Sequence, residues 1–425
     1  MFSKIKGIVK NPYTLSILSK MFGVLIGFLF TIFQSRYLGA EIKGQVATVN
    51  SIVSIGSILL GFGIYYAYPY YKRNTQRDIM PVFMKLALLL LAVYSVISAL
   101  AMALLRLPPK YFAVCMITPL LTYDGIVSYI TLIEKPNRKS LTDMAVVFSE
   151  LLVLLVLWKY APPTFYIGVF IITLKSLAQA LLFTGWWRKR IFVSGESLRE
   201  WIPKLMRFGF FPMLSLLMTT LNYRVDVLML DGKVSDAAIG VYSVGVLLAE
   251  RIWMIPDAMK GVMVSHLAKG KDARETAYVI RICNSVCLII VIGIIALGEP
   301  FLDFVFGAEY HGAYQVTLIL LAGVFSMIYY KLIAAYNIAM GKQMISFVLL
   351  AVSVACNIVA NLLLIPGMGI YGAGLASIIS YALCSVLFVV YFCRETKIPF
   401  TAMLFINKAD YARLKAKLVK KKNTQ

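Results

Sequence analysis

Histidine and acidic residues are scarce in this sequence, and its cysteines lack any paired spacing. The only two histidines, His266 and His311, are too far apart in sequence to predict a metal site. The six cysteines stand singly in apolar runs without a CxxC pattern, and we interpret them as small core residues. These absences argue against a His-centred acid–base enzyme, and we predict neither a metal nor a cofactor.

Charged residues as a whole are also few. They make up 15% of the chain, against 60% apolar residues, and the mean hydropathy is +0.81. Soluble domains have a charged share near one quarter, so this composition predicts an all-α integral membrane protein. The first apolar run, from about Tyr13, lacks a small-residue cleavage site and is predicted to be an uncleaved membrane helix.

Apolar windows of about twenty residues predict twelve transmembrane helices. They lie near 14–35, 45–69, 82–105, 111–133, 141–160, 164–186, 208–230, 236–259, 280–305, 313–340, 345–365 and 370–393. We predict an N-terminal six-helix lobe (1–190), a basic linker (191–207), a C-terminal six-helix lobe (208–395) and a basic amphipathic tail (396–425). Both lobes begin on the same side, so a pseudo-two-fold axis along the membrane normal is expected to relate the two bundles.

The Lys and Arg residues lie mainly in the loops on one side of these spans. A net charge of +22 could suggest a nucleic-acid partner, but this alternation favours a membrane protein with both termini in the cytoplasm. The tail is expected to lie on the anionic inner leaflet, so membrane lipids are expected partners. The outer loops are short, which argues against an outer catalytic domain.

The segment Asn222–Ala258 contains charges inside two apolar runs, namely Arg224 and Asp226, then Glu250, Arg251 and Asp257. A charge at the centre of a membrane helix costs roughly 2.5–3.5 kcal/mol, so these side chains are expected to face a wet cavity or each other. On a regular helix Glu250 and Asp257 share one face, whereas Arg224 and Asp226 point to different sides.

Other predicted spans contain deep charges as well. The deep cations are Lys20, Lys175, Arg224, Arg251 and Lys331, and the deep acids with a possible role in ion or proton coupling are Asp124, Glu150, Glu250 and Asp257. The cations are candidates for binding an anionic substrate in a cavity. Local pairing remains the alternative for each, and Glu150 with Lys175 is the clearest candidate for a buried ion pair.

Several segments together resemble the polysaccharide-exporter branch of the multidrug, oligosaccharidyl-lipid and polysaccharide superfamily. They are YRVDVLML (Tyr223–Leu230), AIGVYSVGVLLAERIWMIPDAM (Ala238–Met259), FGAEYHGAY (Phe306–Tyr314), NIVANLLLIPGMGIYGAGLAS (Asn357–Ser377) and, more loosely, QSRYLGAEIKGQV (Gln34–Val46). The resemblance implies a flippase of the bacterial inner membrane for an undecaprenyl-diphosphate-linked oligosaccharide, such as an O-antigen or capsule repeat unit. It also implies polymerase and chain-length proteins of the same pathway as partners.

Two other function classes remain open. One is a drug or metabolite antiporter of the same superfamily, for which an acidic cavity would be expected if the cargo were an organic cation. The other is a membrane polysaccharide polymerase, for which a sizeable outer loop or a histidine-centred site would be expected.

Overall fold

The computed structural model describes residues 12–75, 77–191, 197–268, 272–407 and 410, apart from the side chains of 12–21, 262, 265 and 268. Every regular element in these ranges is an α-helix or a short 3-10 turn. Ten helical stretches among the described residues are long and apolar enough to cross a membrane, and one of them, Asp236–Gly261, consists of two shorter helices joined by a 3-10 turn. The prediction of an all-α, multi-pass membrane protein is therefore confirmed.

The chain divides into two compact units. The first comprises Met1–Asp231 and Ser235–Gly240, and the second comprises Gly232–Val234 and Val241–Gln425. The helices of the first unit are α1 (Pro12–Gly61), α2 (Ala67–Asn74), α3 (Met80–Leu104), α4 (Pro109–Glu134), α5 (Pro136–Tyr160), α6 (Phe165–Ile191) and α7 (Leu198–Leu230). The second unit contains most of α8 (Asp236–Glu250) and all of α9 (Met254–Ala268), α10 (Arg274–Phe306), α11 (Ala313–Ala339) and α12 (Gln343–Thr396).

Two of these helices are far longer than a membrane is thick, and each contains one non-helical glycine. Gly39 interrupts α1 with φ 72° and ψ 169°, a conformation that residues with a Cβ rarely adopt. Across this kink the Lys43 ammonium donates to the Gln34 side-chain oxygen at 2.5 Å. The sequence predicts separate spans on the two sides of Gly39, with a loop between them, and the structure has a kink in place of that loop.

The 54-residue helix α12 folds back on itself at Gly369, where φ is 54° and ψ is −129°. The Ser353 hydroxyl donates to the Ser380 carbonyl at 2.9 Å, although 27 residues separate the two positions. A straight helix would place them about 40 Å apart, so the two arms of α12 are antiparallel. A Cβ on Gly372 would lie 2.4 Å from the Leu364 carbonyl, so glycine is needed here for the two arms to approach each other closely.

Helix α7 begins before the predicted span. The sequence predicts a linker over 191–207, but Leu198–Arg207 continues directly into the membrane-length part of α7. The physical reason is that Trp201 and Leu205, one turn apart, are both buried in the core of the first unit, where Trp201 contacts Tyr71 at a ring-centroid distance of 5.2 Å. The division into two six-helix lobes remains a prediction. The first compact unit contains α7 as well as α1, whereas the sequence assigns the span within α7 to the C-terminal lobe.

The segment that follows α12 is bound to α10 in the second unit. The Arg281 guanidinium donates to both carboxylate oxygens of Asp410, at 2.5 and 2.7 Å. The Asn284 amide donates to the carbonyls of Met403 at 3.0 Å and Leu404 at 2.9 Å. The start of the predicted amphipathic tail is therefore anchored to α10, whereas residues 408, 409 and 411–425 lie outside the described residues.

Candidate functional site

A polar cluster lies between α4, α5 and α6 inside the first unit. Asp124 of α4 and Glu150 of α5 are buried, with 7% and 8% of their surfaces exposed. The ammonium groups of Lys139 and Lys175 act electrostatically on Asp124, Lys175 acts on Glu150 as well, and Ser176 of α6 faces Asp124. The Oδ1 atom of Asp124 has no hydrogen-bond partner among the described residues. Two buried carboxylates with incomplete pairing can take up a proton or a cation.

A Glu150–Lys175 ion pair is not formed within the described part of the chain. No nitrogen–oxygen distance of 4.0 Å or less joins the two side chains, and Lys175 is exposed. The expectation of a closed structural pair is therefore wrong. Lys175 is exposed and Glu150 is buried, and no cation of the described residues lies within 4.0 Å of the Glu150 carboxylate.

Helix α7 presents two different environments for its charges. Arg224 is half-buried, whereas Asp226 has 3% of its surface exposed and its carboxylate accepts the backbone N–H of Val227 at 2.8 Å. The two residues are two positions apart on a continuous helix, so their side chains diverge by about 160°, as the sequence predicts. Of these two charged residues, Arg224 is thus the one that a polar ligand could reach more easily.

The helix that contains Glu250 and Asp257 is interrupted between them. Helix α8 ends at Glu250, a 3-10 turn spans Arg251–Trp253, and α9 begins at Met254. A 3-10 turn advances about 120° per residue instead of 100°, so the side chains around it leave regular α-helical register. Glu250 and Asp257 therefore lie on two successive helices rather than on one regular helix, and both carboxylates act electrostatically on Lys331. Their position on one common face remains a prediction.

Pro256 explains why the interruption lies here. Proline has no N–H for the carbonyl four positions earlier, which is that of Ile252. The Cys287 thiol of α10 donates to this carbonyl at 3.7 Å. The Trp253 indole N–H donates to the Val324 carbonyl of α11 at 2.8 Å. The broken turn is therefore held by α10 and α11 rather than by its own helix.

Lys331 and Asp257 form an ion pair inside the second unit. The ammonium of Lys331 on α11 lies 3.0 and 3.1 Å from the two carboxylate oxygens of Asp257 on α9. It also lies 4.5 Å from the centroid of the Trp253 ring. Lys331 was predicted to bind substrate and Asp257 to couple an ion, but the structure brings them together as partners.

The candidates thus fall into separate sets. Asp124, Glu150, Lys175 and Arg224 belong to the first unit, and Glu250, Arg251, Asp257 and Lys331 belong to the second. Glu250 and Arg251 are half-buried at the end of α8. The predicted site residue Lys20 is on α1, and its side chain lies outside the described residues.

One cluster of the first unit was missed by sequence reasoning, which placed its members in loops or at the starts of predicted spans. The Lys110 ammonium at the start of α4 lies 2.9 Å from Asp231 and 2.5 Å from Asp236. The Gln45 amide of α1 also donates to Asp236 at 3.0 Å. The available signal was the pair of glycine-containing segments AEIKGQV and DAAIGVY, because glycines at the mouths of two helices permit close contact.

Those glycines bring the backbones of α1 and α8 together. A Cβ on Gly44 would lie 1.7 Å from the Asp236 carbonyl, and a Cβ on Gly240 would lie 1.9 Å from the Ala40 carbonyl. Neither position has room for a side chain. The lysine and its two carboxylates therefore border a contact that only glycine allows.

A model of the polysaccharide biosynthesis protein family matches residues 35–315, two thirds of this chain. The chain belongs to the polysaccharide biosynthesis protein family. This confirms the resemblance to the polysaccharide-exporter type of flippase. The matched range includes α2–α10 and hence every candidate site residue except Lys20 and Lys331.

A relative of this family member is the uncharacterized membrane protein MJ1375 of Methanocaldococcus jannaschii. The two are 28% identical over 142 residues, which span 33% of this chain and 34% of the archaeal protein. The match therefore spans about one third of that relative's length.

Solved structures with the same fold are transporters and a flippase. The lipid II flippase MurJ in an inward closed conformation superposes with a TM-score of 0.72 at 14% identity, over 92% of this chain and 89% of that one. An outward-facing multidrug resistance MATE family transporter of the MOP superfamily gives 0.62 at 13% identity, over 92% and 97%. A MOP superfamily transporter from Pyrococcus furiosus, described as having a binding pocket of reverse polarity, gives 0.61 at 11%, over 92% and 97%. This family member thus has the MurJ and MATE fold.

Proposed function

We propose that this protein is a flippase of the bacterial inner membrane that moves an undecaprenyl-diphosphate-linked oligosaccharide repeat unit to the outer leaflet by alternating access. The observation that supports this most is the match of residues 35–315 to the polysaccharide biosynthesis family. O-antigen, capsule or a related surface polysaccharide would be the end product. A polymerase and chain-length proteins would act on the translocated unit.

The proposed architecture has twelve spans in two six-helix bundles, with both termini in the cytoplasm. Ten described stretches have membrane length, with α8 and the start of α9 together forming one of them, and α1 and α12 would each supply two spans because their helices are interrupted at Gly39 and Gly369. The positive-inside distribution of Lys and Arg supports this orientation.

The transported head group needs cations because diphosphate charges cannot cross about 30 Å of hydrocarbon unaccompanied. Arg224 is the strongest candidate, since it is half-buried on an apolar helix of the matched range and its guanidinium can bind two phosphate oxygens at once. Lys20, Lys175 and Arg251 would add charge at other depths. Lys331 contributes less, because Asp257 already compensates it.

Ion or proton coupling would use the buried acids. Of the four candidates, Asp124 and Glu150 have stronger support than Glu250 and Asp257. The first two are buried in one cluster of α4–α6, whereas the second pair is separated by a helix break and Asp257 binds Lys331.

The proposal is tested by replacing Arg224 with Ala or Lys in a strain that lacks the native gene. Arg224→Ala should cause lipid-linked single repeats to accumulate and surface polysaccharide to disappear, and Arg224→Lys should restore part of the transport. Arg106→Ala is the control, because Arg106 is an exposed loop cation. Full transport by a well-expressed Arg224→Ala variant would contradict the role of Arg224, and absence of accumulated lipid-linked repeats in the deletion strain would contradict the flippase.

The second candidate is a cation-coupled drug or metabolite antiporter. The buried and incompletely paired Asp124 and the fold shared with MATE transporters favour it. Proteoliposomes with an imposed proton or sodium gradient distinguish the two functions. Uptake of organic cations that Asp124→Asn abolishes would favour the antiporter, whereas gradient-dependent movement of a polyprenyl-diphosphate sugar would favour the flippase.

A further inference from the structure

Four cations lie against aromatic rings where α4 ends, α5 begins and α6 ends. The Lys135 ammonium is 4.4 Å from the centroid of the Trp187 ring, and the Arg190 guanidinium is 5.8 Å from the same ring. The Arg138 guanidinium is 5.7 Å from the Trp186 centroid. Lys139 is 5.5 Å from the Phe183 centroid, beside the same helix ends. We call Lys135, Arg138, Trp186 and Trp187 the cation–tryptophan patch.

The rings of this patch are held in place by the core of the first unit. Trp187 has 1% of its surface exposed, and its indole N–H donates to the Thr131 hydroxyl at 3.0 Å. Trp186 is about one third exposed. The patch therefore has one buried and one accessible indole, each facing a cation.

Two of the four cations at these helix ends are paired with carboxylates, and the two cations of the patch are not. Arg190 is bonded to Asp78, and Lys139 is bonded to Asp143. Lys135 and Arg138 contact rings, and no carboxylate in the described ranges lies within 4.0 Å of either cation. Two positive charges thus remain at the surface, where Arg138 is exposed and Lys135 is half-buried.

The position of the patch indicates a lipid as its occupant. Helices α4, α5 and α6 have membrane length, so their ends lie near the level of lipid head groups, where tryptophan is enriched. Next to the patch, Leu141 on α5 and Leu182 on α6 are exposed apolar residues that acyl chains would cover. A lipid that brings a phosphate to the cations would also bring chains to these leucines.

We infer that the cation–tryptophan patch binds an anionic phospholipid, with Arg138 and Lys135 on its phosphate and Trp186 against its glycerol and upper chain region. Arginine binds two phosphate oxygens through its planar fork, and lysine adds a compact charge. Basic pockets of this kind on the cytoplasmic side of membrane proteins bind anionic head groups. The inference does not depend on the transported substrate.

The test measures lipid binding to the purified full-length protein by native mass spectrometry, with phosphatidylglycerol and phosphatidylcholine as probes. Wild-type protein should retain phosphatidylglycerol in preference to phosphatidylcholine. The double variant Lys135→Gln with Arg138→Gln should weaken phosphatidylglycerol binding roughly 25-fold, at about fivefold per charge, and leave phosphatidylcholine binding unchanged. Thermal unfolding and size-exclusion profiles confirm that the variant is folded.

Lys159→Gln is the matched control, because Lys159 lies 5.2 Å from the Tyr160 ring at the other end of α5. It should bind phosphatidylglycerol like wild type. Equal retention of both lipids by wild type, an unaffected double variant, or an equal loss in the control would overturn the inference. Displacement of bound phosphatidylglycerol by stoichiometric polyprenyl diphosphate would also overturn it, by assigning the patch to the transported lipid.

Discussion

Lys331 and Asp257 are ion-pair partners with very different exposure. Their closest atoms are 3.0 Å apart, yet the lysine side chain is 8% exposed and the aspartate side chain is 45% exposed. If the lysine is removed, water can therefore solvate the remaining carboxylate. If the aspartate is removed, water cannot reach the remaining ammonium to the same extent. This asymmetry means that removing one partner is not equivalent to removing the other.

Asp257→Asn is expected to lower the free energy of unfolding by about 1–3 kcal/mol, because it removes a directly bonded counter-charge from a buried cation. Lys331→Met should cost less, since the remaining carboxylate is half-exposed and methionine fills a similar volume. Thermal unfolding in detergent measures both, and the double variant should recover most of the loss. If Lys331→Met abolishes transport at unchanged stability, Lys331 acts on substrate rather than on Asp257.

Gly44→Ala is expected to destabilise the protein by about 1–3 kcal/mol and to impair transport, because the new Cβ would collide with the Asp236 carbonyl. Gly27→Ala on the same helix is the control, since nothing lies within 4 Å of its added Cβ. That control should be neutral or slightly stabilising, as alanine favours a helix. Equal behaviour of the two variants in unfolding and transport assays would argue against the close contact.

Lys110→Gln is expected to cost about 1 kcal/mol, because two partly exposed ion pairs are lost together. Asp236→Asn should cost less, since Lys110 keeps Asp231. The combined variant should lose less than the sum of the two single effects, which a double-mutant cycle measures. Lys233→Gln, an exposed lysine of the adjoining turn, should have no effect. Strict additivity of the first two changes would show that the charges do not interact.

Asp124→Asn and Glu150→Gln are expected together to abolish the dependence of transport on an ion or proton gradient, because these are the titratable groups of the buried α4–α6 cluster. Glu41→Gln is the control, because Glu41 is an exposed acid in the part of α1 that follows Gly39. Transport against external pH in proteoliposomes is the measurement. Retained gradient dependence in the double variant would remove the cluster from the coupling step.

The all-α fold could be predicted from composition and apolar windows, because membrane helices need long apolar runs. The bounds of α7 could not, since Trp201 and Leu205 are buried by a tertiary contact that the local basic composition hides. The position of charges along each helix was also predictable. Their partners were not, because sequence does not show which helices are neighbours.

The break at Arg251–Trp253 illustrates the same limit. Pro256 predicts a bend in the helix, but the 3-10 turn and its hydrogen bonds to α10 and α11 depend on those helices being packed against it. The Lys331–Asp257 pair follows from this packing, since α9 starts in a new register after the break. A periodicity argument assumes one continuous helix and therefore did not predict the interruption between Glu250 and Asp257.

The attachment of the segment after α12 to α10 has a consequence for biosynthesis. Ribosomes deliver the chain from its N-terminus, so α10 enters the membrane before residues 402–410 have been made. Until then the Arg281 guanidinium and the Asn284 amide lack the carbonyls and the carboxylate that bind them in the finished protein. The contacts between α10 and this segment therefore form only after translation has passed Asp410. A truncation before Met403 should leave the second unit without most of these contacts and make it more susceptible to proteases.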